Sequence, residues 1–396
     1  MPDLRSELER IRVPEAEESE RQARLLIEAA FDERSAGAGD RRRRPGRIVA
    51  AMLSLIGASV IALTPAGAEV REWIKDTVTD VGEPNAKPAL TRLPAPGSLL
   101  VSAGRGAWTV SGGGARDRLG TFDDVGWSPH GLYVATAEGR SLSARTAAGE
   151  TRWEIEADAA VTDPVWSPNE GYRVAYRSGD ELRVVWGDGV NDRAIGAAVA
   201  VAPAWKPRAG KRNVLAYADP TGHVRIVDAD TGELLGAARS PAAPVDLDWT
   251  RDGSQLLVLL RDSIRVLDPE GDEIRRAKLS RSREAVGGAF LPGRDTIVLL
   301  LRSERSGART SVVFVNHVGD ELSKRTIFTG SGRLTGLAVA PNGRRMLVGW
   351  PRADQWLFIP TRRTNRIEAV GNIRRQFGTG ETEPFPRVEG WCCQAR

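Results

Sequence analysis

An aromatic residue followed two positions later by proline recurs along the chain at a nearly fixed interval: Trp127 and Pro129, Trp166 and Pro168, Trp205 and Pro207, Phe290 and Pro292. Val339 and Pro341 form an aliphatic variant, and Trp249 falls in the series without its proline. From Trp127 onward the spacings are 39, 39, 44, 41 and 49 residues. That is the period of a four-stranded propeller blade rather than of a helical repeat. A chain of 396 residues with 41% hydrophobic residues and 42 glycines has core material and turn formers enough for one such ring, which absorbs about 300 residues.

Each repeat has the same order of events. In the clearest, Pro164–Trp166 reads as a first strand, Pro168–Gly171 as a turn, Arg173–Tyr176 as a second strand, Glu181–Trp186 as a third and Arg193–Ile195 as the start of a fourth. Third strands recur at Val224–Asp228, Ile264–Asp268, Val312–Asn316 and Trp356–Ile359. An aromatic near the end of the innermost strand fills the wedge between neighbouring blades. The proline after it cannot donate to a ladder, so it stops the strand at the turn.

The run Trp127–Ala135 resembles the W-S-P-D-G-x-x-I-A opening of TolB-like propeller repeats, and Gly222–Leu235 resembles a WD-repeat strand pair. The resemblance covers about residues 98–393 and implies a fold rather than a ligand. His130 and Asn169 replace the turn aspartate, and the Gly-His and Trp-Asp pair of WD repeats is absent.

Blade number is set by the ends. Residues 98–121 supply three strands, around Leu99–Val101, Ala107–Val110 and Arg118–Leu119, with no aromatic-x-Pro strand ahead of them. At the far end Phe385–Cys393 is an orphan strand carrying Trp391. Joining them makes one composite blade beside six internal repeats, a seven-bladed all-β propeller, and closing the ring this way removes an exposed edge. Counted in chain order, the composite is blade one and the internal repeats are blades two to seven.

Ahead of the propeller, Ile48–Ala68 is a run of 21 uncharged residues. As a helix it is about 31 Å long, enough to span a membrane. Arg41–Arg44 and Arg47 precede it and mixed charges come after it, which puts residues 1–47 in the cytoplasm and the propeller outside. Ala66–Ala68 is also compatible with signal cleavage. The tail at residues 1–47 has one amphipathic stretch, Pro14–Arg34, with an apolar strip of Ala23, Leu26, Ile27, Ala30 and Phe31. Residues 69–97 read as a juxtamembrane helix and a spacer with four prolines, Pro84, Pro88, Pro94 and Pro96.

The net charge of +4 is carried almost wholly by Arg, since only six Lys are present, and no patch marks a nucleic-acid site. The adjacent Cys392 and Cys393 exclude a long-range disulfide framework. One of them is expected to pack into the sheet, with a vicinal ring or an interchain bond as alternatives. Three histidines, His130, His223 and His317, do not suggest a metal site. No G-x-S-x-G elbow is present, and no cofactor is expected. Asp228–Glu233 and Gly112–Gly114 read as hairpin turns.

One constellation remains. Second-to-third-strand loops and interblade links emerge on the same face of a propeller. Arg281 and Arg283 lie in the link between blades five and six, Arg302, Arg305 and Arg309 in the hairpin of blade six, Arg333 in the next link and Arg352 in blade seven. Together they are a candidate face for a protein or anionic envelope component. The expectation is a single-pass membrane protein whose extracytoplasmic propeller binds as a scaffold or sensor. A regulator resembling a membrane-bound anti-sigma factor is one version, though the tail lacks zinc-binding His and Cys. The alternative is a propeller lyase or hydrolase acting on envelope glycans or peptides, for which Asp123, Asp124, Asp163 and Asp246 are the recurrent candidates.

Overall fold

The computed structural model describes residues 84–393, apart from 105, 170–171, 304–307, 319–320 and 363–365. The segments expected as a cytoplasmic tail, an apolar span and a juxtamembrane helix, together with Arg305, lie outside the described residues. Among the described residues no helix is long and apolar enough to cross a membrane. The described residues all fall in one compact unit.

Seven sheets succeed one another in chain order, six of four strands and one of five. Their innermost strands are Arg387–Cys392, Asp124–Trp127, Val161–Trp166, Ala204–Trp205, Asp246–Trp249, Glu284–Phe290 and Thr335–Val339, for blades one to seven. Successive innermost strands touch, and that of blade seven touches that of blade one. The result is a closed seven-bladed propeller. Its apolar residues gather into seven clusters, one between each consecutive pair of blades. This is the wedge burial that the aromatic-x-Pro spacing implies.

The composite blade forms as expected. Arg387–Cys392 pairs antiparallel with Ser98–Ala103, which continues into Gly106–Val110 and Arg116–Thr121. Trp391 is buried, packs edge-on against Phe358 of blade seven at 5.9 Å, and donates its indole N–H to Pro96 O at 3.1 Å.

The proline-rich stretch expected as a spacer is extended, but from Ala86 onward it is docked on the ring. Ala86–Lys87 adds a parallel fifth strand to the outer edge of blade seven, against Ala369–Val370. Leu90 and Leu93 are then buried in the cluster between blades seven and one. Backbone bonds hold the segment, from Gly371 N–H to Lys87 O at 2.8 Å and from Leu93 N–H to Gly112 O at 3.0 Å. The seam where the ring closes is thus tied from both chain ends.

The long final spacing also has a local cause. Outer strands Arg309–Val318 and Glu321–Ser331 of blade six run 10 and 11 residues, where most others have five or six. The extra chain lengthens one outer hairpin rather than adding an element. Cys392 and Cys393 form a vicinal disulfide, correcting the expectation of one cysteine packed alone into the sheet. Both sulfurs lie against Pro129 O. Gly97 is required beside them: its φ is +114°, and a Cβ there would sit 2.5 Å from Cys392 O.

Candidate functional site

A propeller offers an axial channel with two differently built mouths. On the face of the interblade links, a cavity of about 620 Å³ is walled by innermost strands and links of several blades. Asp163, Asp246, Asp248, Arg302, Arg333, Arg387 and Glu389 line it. The carboxylates are engaged in the fold. Asp124 accepts the Asp163 N–H at 2.8 Å, Asp246 accepts Gly288 N–H at 3.3 Å, and Asp248 accepts Phe290 N–H at 2.7 Å. Each ties its own innermost strand to the next, because strands of neighbouring blades share no ladder and leave these N–H groups needing acceptors.

These positions shift the acids. Burial pushes Asp248 up to about 7 against the opposing Phe290 N–H bond, and the Asp246 charge adds to the rise. Burial likewise lifts Asp246 to about 6, opposed by the N–H groups of Gly288 and Leu247. Asp124 and Glu389 are raised by burial too, Glu389 against the Arg387 charge, whose Nε donates to Glu389 at 2.8 Å. Asp163 takes a positive φ of 54° and accepts from Arg177 Nε at 2.8 Å. Asp123 accepts the Gly139 N–H at 2.9 Å, as a turn residue would.

The predicted basic residues divide. Arg302 and Arg333 reach the channel cavity, where Arg302 pairs with Glu284. Arg281, Arg309 and Arg352 are exposed, Arg283 is partly buried, and Arg352 packs beside Gly332. Arg374 and Arg387, which the sequence did not suggest, join Arg333 around a neighbouring cavity of about 460 Å³. Arg387 was hidden because its position on the orphan C-terminal strand becomes channel-facing only when that strand pairs with Ser98–Ala103.

The opposite mouth is formed by the turns after the aromatic-x-Pro residues. A funnel of about 890 Å³ is lined by Trp127, His130, Tyr172, Arg251 and the Cys392–Cys393 pair, among others. Beside it, sharing His130 and Tyr172, lies a cavity of about 450 Å³ between blades two and three. Tyr133, Trp166, Tyr172 and Trp186 wall it, with Asp188 at its rim. The Tyr133 and Trp166 rings are nearly parallel, with centroids 6.4 Å apart, and His130 meets Tyr172 edge-on at 5.9 Å.

Local sequence explains why this corner stays open. Trp153 of blade two donates its indole N–H to Gly187 O of blade three at 2.8 Å, fixing the turn that carries Trp186 and Asp188. Gly187 N–H in turn donates to Tyr172 O at 2.8 Å. A Cβ on Gly187 would lie 2.9 Å from the Tyr172 Cβ, so only glycine permits this approach. Leu132, Tyr172, Trp186 and Val190, four of the six exposed large hydrophobics among the described residues, cluster here.

The repeat itself differs at this corner. Trp205 and Trp249 donate their indole N–H groups to the preceding innermost strand, at Val165 O and Ala204 O, 2.9 and 3.1 Å away. Trp127 and Trp166 hold the same repeat position, line the funnel and the aromatic cavity, and have no such acceptor among the described residues.

No family model matches the chain, and no curated protein matches it. In contrast, 1381 chains of solved structures match. One is Kuenenia stuttgartiensis hydrazine synthase, at 13% sequence identity and a TM-score of 0.50, covering 70% of this chain and 80% of that one. At that identity the likeness is one of fold alone.

Proposed function

We propose that the protein is a tethered binding propeller, anchored through Ile48–Ala68 with its ring outside the cytoplasmic membrane, rather than an enzyme. The observation that carries this reading is the contrast between the two mouths. Of the alternative's candidates for acid and base, Asp124 and Asp246 accept backbone N–H groups of the next blade, Asp123 accepts the Gly139 N–H within its own blade, and Asp163 is paired with Arg177. The turn face presents an aromatic cavity with exposed Leu132, Tyr172 and Trp186 around it, the combination that binding sites favour. The TolB-like opening of the repeats is compatible with such a role.

Proximity labelling from a tag on the propeller of the full-length protein tests this reading. It expects a set of envelope neighbours that is lost in a Leu132→Ser, Trp186→Ser variant. Neighbours unchanged by the variant, together with substrate turnover that depends on Asp248, would replace it with the enzyme reading. Topology is tested separately by labelling an introduced cysteine at exposed Asp252 with a membrane-impermeant maleimide, which should react in intact cells.

A second, anionic partner on the link face is favoured by the gathering of Arg333, Arg374 and Arg387 at one cavity and by the exposure of Arg281, Arg309 and Arg352. Serine at Arg302, Arg305 and Arg309 should weaken a salt-sensitive pull-down. Retention equal to that of the unaltered protein removes this second reading.

A further inference from the structure

Four aromatic side chains and one carboxylate around a cavity of about 450 Å³ restrict what the cavity can take. Among the described residues no Lys or Arg lines it, so no fixed cation balances Asp188 there. The faces of Trp and Tyr rings carry negative electrostatic potential, which attracts a cation too weakly hydrated to resist leaving water. Trp186 already demonstrates this on its own ring. The Arg173 guanidinium sits 4.5 Å from its centroid, although Arg173 does not line the cavity and its charge is committed to Asp230 at 2.8 Å. An anionic ligand would meet Asp188 and find no opposing charge. A neutral one would leave the carboxylate unused.

From this we infer that the cavity between blades two and three binds a small quaternary-ammonium group, with methyls against Tyr133, Trp166, Tyr172 and Trp186 and the charge toward Asp188. The inference deepens the binding reading above and rests on the turn-face cavity being its site. Size agrees with the assignment: a trimethylammonium head is compact and fills only part of such a cavity, leaving room for the chain that carries it. Asp188 is already positioned by its own turn, since one carboxylate oxygen accepts the Val190 N–H at 3.2 Å. The Trp153 bond to Gly187 holds that turn against blade two, so the box is preformed across two blades rather than assembled by the ligand.

The test is titration calorimetry on the full-length protein in a non-ionic maltoside, with choline as probe and its uncharged carbon isostere, 3,3-dimethylbutan-1-ol, as control. Choline should bind at least about fivefold more tightly than the isostere, the factor that a desolvated cation–π contact supplies. Asp188→Asn should reduce choline affinity about threefold or more at low salt and leave the isostere unchanged, with Asp188→Glu restoring part of the loss. Circular dichroism melts show whether either variant still folds; Asp188 is exposed, so both should.

Phosphatidylcholine vesicles separate the sources. Sedimentation with vesicles that free choline blocks assigns the group to a lipid head, whereas choline binding without it assigns a free solute. Equal affinity for choline and isostere overturns the inference and leaves a merely apolar cavity. No heat with choline overturns it too, while a neighbour set still dependent on Trp186 would keep the broader binding reading.

Discussion

Asp248 is the residue whose chemistry and structural duty conflict most directly. Its carboxylate holds the Phe290 N–H of the next blade, yet it is half-buried in the channel wall near Asp246, and desolvation lifts it to about 7. A carboxyl whose folded value lies above its unfolded value binds its proton more tightly when folded, so the associated stability is present at low pH. It is lost as pH rises through the window from about 4 to about 7. Asparagine keeps an oxygen to accept the N–H and carries no charge. Asp248→Asn should therefore flatten the fall in stability between pH 5 and pH 8 and exceed the unaltered protein at pH 8 by about 1–3 kcal/mol. Urea midpoints at the two pH values measure this; parallel pH slopes for both proteins would contradict it. At the other mouth Gly187→Ala forces a Cβ to 2.9 Å from Tyr172. The expected cost is about 1–3 kcal/mol, seen as a lower melting midpoint together with loss of ligand binding in the aromatic cavity.

Among the elements, the C-terminal strand closes blade one and contributes to the cluster between blades seven and one. Trp391 fills the wedge between blades one and seven and is bonded to Pro96, so Trp391→Ala removes both packing and an acceptor's partner. A loss of about 3–5 kcal/mol is expected, measured by chemical denaturation; a change below about 1 kcal/mol would mean that the seam does not depend on it. This role was legible beforehand because the aromatic-x-Pro spacing left Phe385–Cys393 without a blade and residues 98–121 without an innermost strand. Other features were not legible. Leu90 and Leu93 sit between prolines, where the local pattern says only that the chain is extended; their burial comes from blades distant in sequence. Tyr133, Tyr172 and Trp186 each read as ordinary strand or turn residues, and only the register between blades two and three brings them together. Arg302 lines the channel cavity, but its pairing with Glu284 depends on side-chain direction across a strand pair, which the spacing of arginines does not encode.

At the scale of the molecule, the ring of blades is closed only where the two chain ends meet, so its integrity depends on that seam. Here the meeting place is double: Arg387–Cys392 closes blade one from within, and residues 84–97 cross from the outer edge of blade seven to the start of blade one. The segment entering from the predicted tether is therefore part of the closure, and truncations from the N-terminus should act in steps. Removal of residues 1–70, none of them among the described residues, should leave the melting midpoint of the propeller unchanged within about 1 °C, less than the shift of about 1.5 °C that about 1 kcal/mol gives in a domain of this size. Removal of residues 1–93 also deletes the parallel strand Ala86–Lys87 and the burial of Leu90 and Leu93. At about 1.5–3 kcal/mol for each leucine, the midpoint should fall by about 5 °C or more, with earlier proteolysis in blades seven and one than in blades three to five. Equal midpoints for the two truncated forms would mean that the C-terminal strand closes the ring alone and that the docked segment only tracks its surface.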